Sequence, residues 1–139
     1  AARRVFERLG LGAPALEIEM HNAIPLARGL GSSSAAIVGG LRAANEFCAR
    51  EVGKSLSLPQ LLELAARIEG HPDNVAPALL GGVVAAAMHN QTPVAVPVRA
   101  ARLPHLIAFV PDFHLPTEAA RRVLPDVYSR ADAVFNISR

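Results

Sequence analysis

The segment Pro25-Leu-Ala-Arg-Gly-Leu-Gly-Ser-Ser-Ser-Ala-Ala36 decides how this chain is read. It follows an alternating run, Ala15-Leu-Glu-Ile-Glu-Met-His21, whose period of two predicts a strand with Leu16, Ile18 and Met20 on one face. It opens a long helical pattern over 32–52, small and apolar nearly all round from Ser34 to Leu41 and wetter toward Arg42, Glu46 and Arg50. Strand, glycine turn and helix start together form the setting in which backbone N–H groups and a helix dipole gather around an anion. Gly29 and Gly31 allow a tight turn and let a ligand approach the backbone. Ser32, Ser33 and Ser34 add hydroxyl donors, and a serine oxygen is also a ligand for Mg2+. Such a cradle suits the β- and γ-phosphates of ATP. It is neither a Walker loop, which needs a lysine, nor a dinucleotide fingerprint, which needs a third glycine.

Working outward, Ala2 to Leu9 reads as a helix with Val5, Phe6 and Leu9 on one face and Gly10 as its stop. Downstream, Ser57 is an N-cap and Pro59 sits in the first turn of a second helix, which runs through Leu61, Leu62, Leu64, Ala65 and Ile68 and breaks at Gly70. A polar loop, His71-Pro-Asp-Asn74, leads to a short apolar turn and to Gly81–Gly82. Strands are expected at Val83–Met88, Val94–Val98 and Leu106–Val110, then a helix over Glu118–Leu124 capped by Thr117. Residues Ala131 to Arg139 read as the start of a further element. The class is α+β with antiparallel pairing, because some strands follow one another without a crossover helix.

Composition narrows the function. The 139 residues are within reach of one domain, and a 51% hydrophobic content supplies a core. Only 19% are charged, which leaves the expectation that further polypeptide covers part of the surface. The formal net charge is +2, Lys54 is the one lysine, and Arg3–Arg4 and Arg121–Arg122 are too short to track phosphates. Few aromatics are present to stack bases, so nucleic acid is not an expected partner. The single cysteine, Cys48, excludes an internal disulfide and reads as a small buried side chain. No signal peptide pattern and no apolar run of about 20 residues is present, so a membrane is excluded and a soluble, cytoplasmic protein is expected.

The loop string closely resembles the second signature motif of the GHMP kinases, which include galactokinase, homoserine kinase and mevalonate kinase. That resemblance implies that Pro25, Arg28, Gly29, Leu30, Gly31, Ser32, Ser33 and Ser34 form the nucleotide site. It also implies that Ser32 or Ser33, with Ser33 preferred, reaches Mg2+. A kinase of this kind needs a carboxylate for the metal as well. Glu69, His71, Asp73 and Asn74 crowd into six residues, although by themselves Asp73 and Asn74 read as a cap for the helix that follows.

In the context of the loop, the stretch EGHPDNVAPALLGG at 69–82 resembles the homoserine kinase branch. The likeness implies Glu69 as second Mg2+ ligand and His71 and Asn74 as contacts to L-homoserine. Asp73 falls where mevalonate-type relatives carry their proposed base, whereas homoserine kinases rely on positioning and charge neutralisation. Leu115 to Pro125 resembles the family segment T-x-x-A-R-x-x-L-P. It implies that Thr117 approaches the site and that Arg121 grips a substrate carboxylate in two-pronged fashion. Asp73, Asn74 and Arg121 are then the residues closest to the chemistry. Arg122, His21, His89, His105 and His114 have no such pattern and read as structural or exposed.

The likeness runs along nearly the whole chain and implies the GHMP kinase fold. Residues 1–100 would be the later part of an N-terminal domain like ribosomal protein S5 domain 2, and 101–139 the start of a ferredoxin-like C-terminal domain. The implied reaction moves the γ-phosphate of ATP to the hydroxyl of L-homoserine, giving O-phospho-L-homoserine for threonine synthesis. The family's first motif, a PASSANLGPGFD-like loop, and its third, a glycine-rich loop, are both missing. A fragment inactive by itself, from a parent that is a candidate homodimer, is therefore expected. Two rival readings remain: another GHMP kinase of mevalonate or diphosphocytidyl-methylerythritol type, and a non-catalytic GHMP-like nucleotide-binding module.

Overall fold

The helix that begins at Ser32 organises everything around it. In the computed structural model, which describes residues 1–99, 105–110, 112–113 and 122–138, it spans Ser32–Val52 (α2). Its buried stripe is Ser34, Val38, Leu41, Ala44 and Cys48, a spacing of three and four that falls on one side of a 3.6-residue helix. Against that stripe pack α1 (Ala2–Arg8), α3 (Leu58–Glu69) and α4 (Val75–Leu80). They contribute Val5 and Phe6, then Leu61, Leu62, Ala65 and Ala66, then Val75 and Ala76. Small side chains let the helices approach closely, and a Cβ added at Gly40 would stand 3.3 Å from that of Ala1. Phe6 meets Phe47 edge-on with ring centres 6.1 Å apart. Cys48 is fully buried, and that burial raises its thiol pKa above the ordinary value.

The α2–α3 connection is pinned by one side chain. Asn45 Nδ2 donates to the Leu56 carbonyl at 3.1 Å, and its Oδ1 accepts from the Leu56 N–H at 2.6 Å. Ser57 then caps α3 as its sequence suggests, with Gln60 Oε1 accepting the Ser57 N–H at 2.9 Å. After Asn74 the short apolar turn is in fact one and a half turns of helix, α4. Pro77 is tolerated there because the N–H it lacks falls in the first turn, where the helix itself offers no carbonyl to receive one.

The expected hairpin is present as β1 (Val83–His89) and β2 (Thr92–Val98), antiparallel, with Val83 opposite Val98 and His89 opposite Thr92. Its two-residue turn holds Asn90 and Gln91 at φ 47° and 64°, the left-handed pair whose twist matches that of the strands. Val84, Ala86 and Ala95 face the helices. Pro93 and Pro97 are four apart in β2, so the N–H groups they lack belong to one edge and the ladder to β1 uses the other. A last helix, α5 (Arg130–Ile137), is capped by Ser129 Oγ, which accepts the Asp132 N–H at 3.1 Å, and buries none of its residues. Helices with an antiparallel hairpin give the α+β content that the sequence implied. Among the described residues no helix is long and apolar enough to cross a membrane.

Two expected strands do not form. Residues 15–21 join no strand ladder, and Leu16, Ile18 and Met20 stay 41–55% exposed. Alternation alone does not make a strand, which also needs a neighbouring edge for its N–H and C=O groups, and the described residues supply none here. The same holds at Leu106–Val110, where Leu106, Ile107 and Phe109 are almost fully exposed. Thr117 and Arg121, and with them residues 118–121 of the expected Glu118–Leu124 helix, lie outside the described residues.

Candidate phosphate and metal site

The loop before α2 is shaped by backbone conformations that few residues accept. Gly29 and Gly31 have φ of 70° and 73°, and Ala27 is left-handed too, at 53°. A non-glycine residue there is strained by about 1–2 kcal/mol, a feature that persists where the surroundings enforce it. Gly31 is the N-cap of α2 and has no side chain to offer, so no side-chain oxygen caps the first N–H groups of the helix. Unclaimed N–H groups beside the positive end of a 21-residue helix are an anion site.

One residue the sequence reading passed over ties this loop at both ends. Asn22 Oδ1 accepts the Ile24 N–H at 3.0 Å, and its Nδ2 donates to Ser32 Oγ at 2.8 Å. An asparagine bonding the backbone two residues on is a turn signal legible in sequence, but its reach across ten residues to Ser32 is not. Because Ser32 accepts that bond, its own O–H stays free to donate.

Glu69 closes the site from the other side. It is the last residue of α3, an unfavourable place for a carboxylate, since helix C-termini carry negative potential. Its side chain, however, lands on the first turn of α2. Ser33 Oγ donates to Glu69 Oε2 at 3.1 Å and Ser34 Oγ to Oε1 at 2.9 Å, across 36 and 35 residues. The charge thus leaves the wrong end of one helix for the right end of another.

This pair fits a hard divalent cation. Octahedral Mg2+ at about 2.0–2.1 Å from each oxygen sets neighbouring ligand oxygens about 3 Å apart. Ser33 Oγ and Glu69 Oε2 already stand at 3.1 Å. Among the described residues no group of three His, Cys, Asp or Glu side chains gathers to hold a metal. One carboxylate with hydroxyls suits Mg2+, which keeps waters and binds phosphate oxygens, better than zinc, which favours nitrogen and sulfur.

The polar loop between α3 and α4 lies alongside. Pro72 is buried and anchors it. Asp73 Oδ1 is shared between His71 Nδ1 and the Asn74 N–H, the latter at 2.7 Å. That engagement holds the exposed Asp73 against His71, whose Nε2 is the nitrogen away from it. Asn74 adjoins the phosphate loop: a Cβ on Gly31 would be 3.9 Å from Asn74 Oδ1. A cleft of about 490 Å³ runs between them, bordered by Leu30, Gly31, Ala35, Asn74 and Pro77. Pro25 begins the loop. Arg28 sends Nη2 to the Asp112 carbonyl at 3.3 Å, while its buried Nη1 has no hydrogen-bond partner among the described residues.

The structure therefore brings Gly31, Ser33, Ser34, Glu69 and Asn74 together, with His71 and Asp73 on the adjoining turn. The chain is 53% identical over 135 residues to a homoserine kinase from Desulfitobacterium hafniense, covering 97% of this chain and 44% of that protein. It is 47% identical over 140 residues to one from Clostridium botulinum, covering 100% and 46%, and 52% identical over 136 residues to one from Synechococcus, covering 94% and 42%. The chain spans about half the length of the curated relatives it matches. Residues 1–82 match the family described as GHMP kinases N terminal domain, and the chain belongs to that family.

Proposed function

We propose that the full-length protein carrying this chain is a homoserine kinase, moving the γ-phosphoryl group of ATP to the side-chain hydroxyl of L-homoserine. The observation that carries the reading is the meeting of Ser33 and Glu69 at the mouth of the phosphate loop, in a chain whose relatives are homoserine kinases. In this reading the N–H groups from Gly29 to Ser32 hold the β- and γ-phosphates, and Ser33 with Glu69 holds Mg2+. Bound there, Mg2+ would neutralise phosphate charge as it shifts toward the leaving oxygen. His71 and Asn74 orient the acceptor hydroxyl, and Arg121, with Thr117 nearby, receives the amino-acid carboxylate.

The bond that forms joins the homoserine oxygen to the γ-phosphorus. The bond that breaks releases ADP, and the hydroxyl proton passes to solvent or to a phosphate oxygen. A loose phosphoryl-transfer transition state asks little of a base, which agrees with an Asp73 already engaged in holding His71. We assign residues 1–100 to the later part of an N-terminal domain like ribosomal protein S5 domain 2. Residues 101–139 then begin a ferredoxin-like second domain, in a cytoplasmic enzyme of threonine synthesis.

The test is acceptor-dependent ADP release by the full-length protein with Mg2+ATP. Release that requires homoserine, and not mevalonate, galactose or a blank, is the expected result. Release with another acceptor overturns the substrate assignment, and no release with any of them overturns the kinase reading.

A further inference from the structure

Three consecutive serines open α2, and the resemblance puts all three in the nucleotide cradle, yet the structure sets Ser34 apart. Ser33 is exposed, while Ser34 is 1% exposed, the one buried polar side chain among the described residues. A phosphate at the loop mouth has no path to a hydroxyl so enclosed. Ser34 instead spends its proton on Glu69 Oε1 at 2.9 Å, and the other carboxylate oxygen, Oε2, is left beside the exposed Ser33.

We propose that Ser34 is a positioning residue for the metal and not a phosphate ligand: its buried hydroxyl locks the Glu69 carboxylate so that Oε2 faces Ser33 and the cation. This rests on the kinase reading of the same site. A glutamate at the fraying end of α3 has several rotamers open to it, of which one aims an oxygen at Ser33. The bond to a residue fixed inside α2 selects that rotamer before any cation arrives. Removing a partner that holds a metal ligand in this way typically costs about 10–100-fold in metal affinity. Ser32, tied to Asn22, and Ser33, at the metal, leave Ser34 as the member of the triplet with no open side toward ligand.

The experiment is a Mn2+ titration of the full-length protein with ATP, read by the electron paramagnetic resonance of free Mn2+, beside ATP binding in EDTA. Ser34→Ala is expected to weaken Mn2+ binding about 10-fold, toward the lower end of the range for such partners. Metal-free ATP affinity is expected to stay at the wild-type value. Ser34→Thr, which keeps the hydroxyl, is expected to restore Mn2+ binding; should Ser34→Ala fail to fold, Ser34→Cys replaces it as a weak donor of similar size. The reverse pattern, with metal-free ATP binding lost and Mn2+ affinity kept, overturns the proposal and returns Ser34 to the phosphate cradle. Failure of the kinase reading would be seen in the wild type itself, as absence of both Mn2+ and ATP binding, and would remove this inference with it.

Discussion

Replacing Glu69 by alanine withdraws the acceptor from two serine hydroxyls at once, and the two respond differently. Ser33 is exposed, so water replaces the lost partner at little cost. Ser34 is 1% exposed, and an orphaned buried hydroxyl costs about 1–3 kcal/mol. Losing a carboxylate from the first turn of α2 removes about 0.3–1 kcal/mol more. The expected total is about 1.3–4 kcal/mol, or about 4–14 °C in Tm for a domain of this size. Glu69→Gln keeps a neutral acceptor for Ser34 and should cost about 1 kcal/mol or less. Thermal denaturation without metal or nucleotide should rank wild type above Glu69→Gln above Glu69→Ala. In the full-length protein, on the proposed kinase reading, Mg2+-dependent ADP release should by contrast collapse equally in both variants. Adding Ser34→Ala to Glu69→Ala should cost less than the sum of the separate losses, because one hydrogen bond cannot be removed twice. Equal Tm values for the two Glu69 variants, or strict additivity with Ser34→Ala, would refute the reasoning.

Other consequences are open to simple measurement. Asn45→Ala removes both partners of Leu56 and should cost about 2 kcal/mol in urea denaturation, with no change in ligand affinity. Cys48 should resist thiol reagents in the native state and react once the protein is unfolded. Its folded pKa is raised above an ordinary value of 9.0, so its contribution to stability is complete below that pH and is lost as pH rises beyond it. Denaturation midpoints measured upward from pH 9 should therefore fall less steeply in Cys48→Ala. Gly31→Ala would force a left-handed alanine, a strain of about 1–2 kcal/mol, and should weaken ATP binding in calorimetry. Asn22→Ala frees the loop from Ser32 and should weaken ATP binding while leaving Tm nearly unchanged.

How much of this was legible in the sequence depends on where each signal resides. The helices α1, α2 and α3 declare themselves through local periodicity and through caps such as Ser57 and Gly70, because both are written in neighbouring residues. The hairpin is equally local, its strands needing only each other. Residues 15–21 and 106–110 have strand patterns, but a strand is made by an edge elsewhere, and no local pattern says whether that edge is present. At the site, resemblance put Ser32, Ser33 and Ser34 in one cradle, preferred Ser33 for the metal and named Glu69. It did not show that Ser34 is enclosed and bonded to Glu69, because that is a matter of burial, set by how α3 packs on α2. Asn22 escaped for the same reason, since its partner Ser32 is ten residues away.

The most direct test of the account is where a metal sits when nucleotide is bound. Crystals of the full-length protein grown with Mn2+ and a non-hydrolysable ATP analogue would locate it by anomalous scattering. The account requires the Mn2+ peak to be in coordination contact with Ser33 Oγ and Glu69 Oε2, with the γ-phosphate on the N–H groups from Gly29 to Ser32. A metal held elsewhere, or phosphates lying away from this loop, would contradict it.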